Sequence, residues 1–228
     1  MSIILNVPSG PIRPVLEALW DNEILVGYVT SMEDSAAYQL RKLEESGWQL
    51  VEEEGRFYHT IHGLDGDSWH LETLFSKDFP ALQRAATFLA VWAAFEHCLN
   101  DLCREVALVA DLKVKVSDLH GSGVRRARTY LAKVAALCDE TIDNSWQEVF
   151  RLQTLRNVFA HGDGTIAERH KDQLAWVASS PHITFREETV LLEAGFMPHV
   201  LEVHRRVLLA LKEAVELRFG KFESVVYE

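Results

Sequence analysis

Phe88-Leu89-Ala90-Val91-Trp92-Ala93-Ala94-Phe95-Glu96-His97-Cys98-Leu99-Asn100-Asp101-Leu102 is the stretch on which the fold class turns. It is the most apolar window of the chain, yet Glu96, His97, Asn100 and Asp101 interrupt it well short of the ~20 residues a bilayer crossing needs. Its apolar positions extend in both directions at helical spacing. Leu82, Ala85, Phe88, Trp92, Phe95, Leu99, Leu102 and Val106 recur every three or four residues, and Pro80 suits a first helical turn. A long core helix is therefore expected from Pro80 onward.

Downstream the helical period persists. A second helix is expected over Gly123 to Leu137, and a third from Asn144 as N-cap to His161, ended by Gly162. Residues 166–178 read as a short helix broken by Pro181. His182 to Arg186 and Thr189 to Leu192 alternate as a two-stranded ribbon around Glu187-Glu188, and a last helix runs from Pro198 to Phe219. Upstream, Glu23-Ile24-Leu25-Val26-Gly27-Tyr28-Val29 reads as a strand, Ser31 starts a helix that ends near Gly47, and Trp48 to Ile61 reads as a hairpin or a pair of short strands around Gly55. The expected fold is mainly α: a helical bundle over 79–228, preceded by a small acidic α+β element over 1–78 and carrying a short β-ribbon before the last helix.

The charge distribution supports that division. Residues 1–78 hold 14 acidic and 5 basic side chains, and the remainder 20 and 18, giving a net charge of -11 over 228 residues. Such a total argues against whole-surface attraction to nucleic acid but permits a local basic cleft. With 48% hydrophobic and 25% charged residues, the composition is that of a globular chain. Cys98, Cys103 and Cys138 form neither an even set nor a metal spacing, and no basic leader precedes Pro8, so a cytoplasmic, reducing home is expected.

Chemistry concentrates in Leu155-Arg156-Asn157-Val158-Phe159-Ala160-His161-Gly162. At about 100° per residue Asn157 and His161 share one helix face, whereas Arg156 and His161 diverge by about 140°. Arg156 must reach across, or meet a histidine from another copy of the helix. Guanidinium, amide and imidazole together suit phosphate chemistry: the first forks the anion, the last moves a proton, the amide orients. The same three residues also serve as an ion-pair partner, a local cap and a C-terminal cation, and residue type alone leaves both readings open.

Arg156-Asn157-Val158-Phe159-Ala160-His161 resembles the Arg-polar-three-His motif of HEPN domains, helical modules of many prokaryotic toxins, abortive-infection proteins and RNA-processing enzymes. Phe95-Glu96-His97-Cys98-Leu99-Asn100, some 60 residues upstream, looks like the first core helix of that family, so the resemblance spans about Pro80 to Phe219. It implies a homodimer whose motif helices face each other across one cleft. It also implies a metal-independent endoribonuclease, a toxin-antitoxin or phage-defence effector, in which 2′-hydroxyl attack leaves a cyclic 2′,3′-phosphate. His161 would be the general acid or base, Arg156 the phosphate stabiliser and Asn157 the positioning amide. The rivals are an inactive HEPN-like module that binds RNA, nucleotide or a protein partner, and a plain helical interaction domain whose match to the motif is accidental. Toxins of the family silenced by a nucleotidyltransferase carry a tyrosine two places after the histidine; Asp163 stands there, so adenylylation at that position is impossible, while other protein inhibitors stay open.

Around this motif, Glu96 and Asn100 are candidates to support Arg156, or else surface residues of their helix. Arg125, Arg126, Arg128 and Lys133, with Lys113 and Lys115, oppose the single acid Asp118 over 112–137. They form an RNA-backbone footprint or a solvated helix face. Arg205 and Arg206 add a smaller basic patch. His59 with His62 and His199 with His204 are badly spaced for a metal, and no glycine-rich phosphate loop, nucleophile elbow or Cys-x-x-Cys occurs, so no cofactor is expected.

Overall fold

The axis of the molecule is α3 (Phe79–Val109), which a short helix α2 (Leu71–Thr73) and a π turn (Leu74–Asp78) lead into without a break. The computed structural model describes residues 9–46, 49–53, 56–66, 68–139, 143–162, 164–166 and 175–220. Phe88, Trp92, Phe95, Leu99, Leu102 and Val106 of the expected stripe are all buried in one core; Leu82 alone of that stripe turns fully to solvent. Around α3 stand α1 (Ile12–Ser46), α4 (Gly123–Thr129, continued by a π turn to Val134), α5 (Asn144–Gly162) and α6 (Phe196–Phe219). The chain is mainly helical, as expected.

Before α6 the ribbon forms where the alternation placed it: β4 (Ile183–Arg186) pairs antiparallel with β5 (Thr189–Leu192). In the first portion β1 (Gln49–Glu53) and β2 (Arg56–Ile61) form the expected hairpin, and β3 (Leu64–Asp65) extends it on the β2 side. The expected strand over Glu23–Val29 is corrected: those residues lie inside α1, a helix of 35 residues. The reason is tertiary. Ile12, Val15, Asn22, Val29 and Met32 fall at helical intervals and are buried, and α1 packs along α6 and α3. That burial overrides the β preference of a locally β-branched run and the ~1 kcal/mol cost of Gly27 inside a helix.

The boundary near residue 78 is therefore not a boundary of cores, because Ile12, Val15 and Val29 belong to the same cluster as α3, α5 and α6. Among the described residues a satellite cluster of Leu71 and Phe75, flanked by Leu40, Leu64 and Leu74, stands apart from that core. The helix expected to Leu137 stops sooner, with Ala136 at φ 44. Over 166–178 only a 3-10 turn at Ala175–Ser179 is seen among the described residues; 167–174, like Asp163, Gly55 and the first eight residues, lie outside them.

Arg84 ties three elements together. Its Nε and Nη2 fork Glu33 of α1 at 2.7 and 2.6 Å, and Nη1 donates to the Leu192 carbonyl of β5 at 3.0 Å. Among the described residues no helix is long and apolar enough to cross a membrane.

Candidate phosphate-binding face of the motif helix

Helix α5 buries Trp146, Val149, Leu152, Leu155 and Val158, so the rest of its circumference carries the polar residues. Along its solvent side Phe150, Thr154, Asn157 and His161 follow one another at intervals of three or four, a single stripe. Asn157 and His161 are both exposed on it. On the inner side Phe159 meets the Phe88 ring edge-on at 6.3 Å, while Gln153 lies against Gly123 of α4 beside the Glu96 carboxylate. Arg156 lies on the same strip, three residues from each, and so rises toward α3 half-buried.

From there its guanidinium turns back to the stripe. Nη1 donates to the Asn157 Oδ1 at 3.2 Å, and Nε is buried with no hydrogen-bond partner. No carboxylate pairs with Arg156 among the described residues. Glu96, a candidate to support Arg156, forms no ion pair with it and lies against Gly123 and Gln153. Asn100 donates from its Nδ2 to the Glu96 carbonyl of its own helix at 2.9 Å.

An open groove of about 940 Å³ runs beside the stripe. Asn157 and Thr154 form one wall with Gln147 and Arg151, and Gly121, Ser122 and Arg125 form the other. The Arg125 guanidinium lies 4.1 Å over the Phe150 ring, which fixes that cation at the groove while leaving its outer edge to solvent. Arg151 escaped the sequence reading. Its only signal was a position one turn ahead of Thr154 in the polar part of α5, which any solvated arginine shares.

The basic footprint shrinks in three dimensions. Arg128 is corrected outright: it is 5% exposed, lies 5.3 Å over Trp146 and donates to the Asp139 carbonyl, so it cannot belong to an exposed patch. Arg126 is half-buried against α3, its Nε without a partner. Lys133 is exposed on the π turn away from the groove lining, and Lys113 pairs with Asp111 at 2.8 Å. Arg206 pairs with Glu148 at 3.0 Å, and Arg205 is exposed. Arg125 alone of the expected footprint lines the groove.

Past the stripe the chain is held tightly. Gly164 adopts φ +81, its carbonyl accepts from Val190 N at 2.9 Å, and Ile166 N donates to the Glu188 carbonyl at 3.1 Å. The end of α5, and with it His161, is thereby moored to β5. Among the described residues no group of three or more His, Cys, Asp or Glu is placed to hold a metal ion. Compared with known protein families, with curated proteins and with solved structures, the chain matches none of them.

Proposed function

We propose that the protein is an endoribonuclease of HEPN type, working as a homodimer in which two α5 stripes meet. The reading rests on one observation: among the described residues the Arg156 guanidinium has no carboxylate partner, yet it is drawn by Asn157 toward the face that exposes His161. A half-buried arginine that served packing alone would be expected to neutralise an acid; this one leaves its charge to an anion.

In the proposed reaction the substrate's 2′-hydroxyl loses its proton to one His161 and attacks the adjacent phosphorus. The O2′–P bond forms, the P–O5′ bond breaks, and the His161 of the second protomer protonates the departing O5′. Arg156 stabilises the charge that develops on the phosphoryl oxygens, and Asn157 orients Arg156. Arg125 and Arg151 carry the flanking backbone along the groove.

The test is cleavage of single-stranded RNA in EDTA, with product ends analysed for cyclic 2′,3′-phosphate and 5′-hydroxyl. His161→Ala should lower the rate by about 10²–10⁴-fold, the range for loss of a general acid or base. Equal cutting by both proteins, or none by either, ends the enzyme reading. RNA bound but uncut by the wild type would favour the inactive binding module.

A further inference from the structure

One cation of the groove beside the motif helix is set in place by the protein itself. Arg125 of α4 is exposed, and its guanidinium carbon stands 4.1 Å over the ring of half-buried Phe150 on α5. Among the described residues no carboxylate pairs with Arg125, and none of its side-chain N–H groups finds an acceptor. A solvated arginine is ordinarily free to sample many rotamers; here the ring covers one side of the group and restricts it. The sides away from the ring are left to the solvent of the groove, whose lining includes both residues.

Phe150 is steadied in turn, its ring 6.2 Å from that of buried Trp146 one turn back on α5. The groove wall also carries Arg151, a second cation without an ion pair among the described residues, and no carboxylate lines it. A bare anion would be served as well by a lysine. What the aromatic backing adds is a fixed plane, and a plane serves a π system, because bases stack on guanidinium groups as they do on aromatic side chains.

We propose that Arg125, backed by Phe150, is a base-stacking subsite for single-stranded RNA, with Arg151 beside it on the backbone phosphates. Phe150 precedes His161 by three turns of α5, about 16 Å along the axis. The stacked base therefore belongs to a nucleotide flanking the cut. The subsite rests on the ribonuclease reading for its ligand and adds to it a contact that depends on the bases, where the arginine charges alone would hold any polyanion.

The test is calorimetric titration of full-length His161→Ala, which on the proposed mechanism leaves RNA uncut, with decaadenylate and with an all-abasic decamer of the same backbone. Decaadenylate should bind about fivefold more tightly or better, the low end of the range for one stacked base. Arg125→Lys in the same background, altered only at an exposed position, keeps the charge and removes the plane. It should lower decaadenylate affinity about fivefold or more and leave abasic binding unchanged. Equal binding of the two decamers, no binding of decaadenylate, undiminished binding by Arg125→Lys, or an equal loss for both decamers would each overturn the subsite. Cutting by the wild type alongside any of those results leaves the ribonuclease reading standing without it. Base-dependent binding lost in Arg125→Lys, with no cutting by the wild type, keeps the subsite and ends the enzyme reading.

Discussion

Single residues carry several separable roles in this chain. Gly164 is required by its own backbone: at φ +81 an L side chain is strained, and a Cβ there would stand 3.2 Å from the Phe159 ring. Gly164→Ala should therefore cost about 1–2 kcal/mol in urea unfolding. His204 makes a different prediction. Burial pushes its imidazole down to about 3, from an ordinary value of 6.5. Between those values the unfolded chain takes up a proton that the folded chain refuses, so this residue's contribution to stability is complete above pH 6.5 and is lost as pH falls toward 3. In His204→Phe, which keeps a ring on Phe95, that part of the pH dependence of the unfolding free energy should vanish. The residue scale is also where sequence reading is weakest. Arg128 and Arg125 are three apart in the same cationic run, yet one is buried over Trp146 and the other lines a groove. Which way each turns depends on where α5 lies, and no local pattern records that.

Among the elements, α3, α5, α6 and the ribbon were legible because each buries one face and repeats its apolar residues at the period of its own geometry. Helix α1 was not. Its stripe of Ile12, Val15, Asn22, Val29 and Met32 is sparse and includes a polar member, whereas Ile24 and Val26, which made the segment look extended, face solvent. The buried Asn22 is satisfied from another element, its Nδ2 donating to the Leu201 carbonyl of α6 at 3.1 Å. The candidate site shows the same division: Asn157 and His161 sharing a face followed from helix geometry, but the bond from Arg156 to Asn157 is a matter of side-chain reach. Arg84 sets a stability test at this scale. Replacing it with Met keeps the apolar stem but leaves Glu33 without its fork and the Leu192 carbonyl without its donor. The cost should be about 2–3 kcal/mol in denaturant unfolding, a buried-pair value reduced because Glu33 is partly solvated.

At the scale of the whole molecule, one acidic protein presents two faces of opposite chemistry. The groove along α5 is lined by Arg125 and Arg151, and the cavity between α1, α3 and α6 is rimmed by Glu17 and Asp21. A local cationic groove on a body of net charge -11 reconciles the composition with a polyanionic substrate. The proposed reaction also requires two copies, since a protomer exposes one His161. The protein should sediment at twice 25.9 kDa. Thr154→Arg, placed in the middle of the stripe, should yield a folded monomer, checked by circular dichroism, that no longer cuts RNA. Cleavage by that monomer would separate the chemistry from pairing.

On the edge away from β4, Val190 of strand β5 and the preceding Glu188 are bonded to the segment that follows His161, through Gly164 and Ile166, and Leu192 farther along accepts from Arg84, which grips α1. Backbone amides at Val190 and Ile166 thus belong to one cooperative unit and should exchange with deuterium at a common rate. On the proposed mechanism, a mutation that loosens the ribbon would displace His161 without touching it, so variants distant from α5 should lower RNA cleavage by local melting alone.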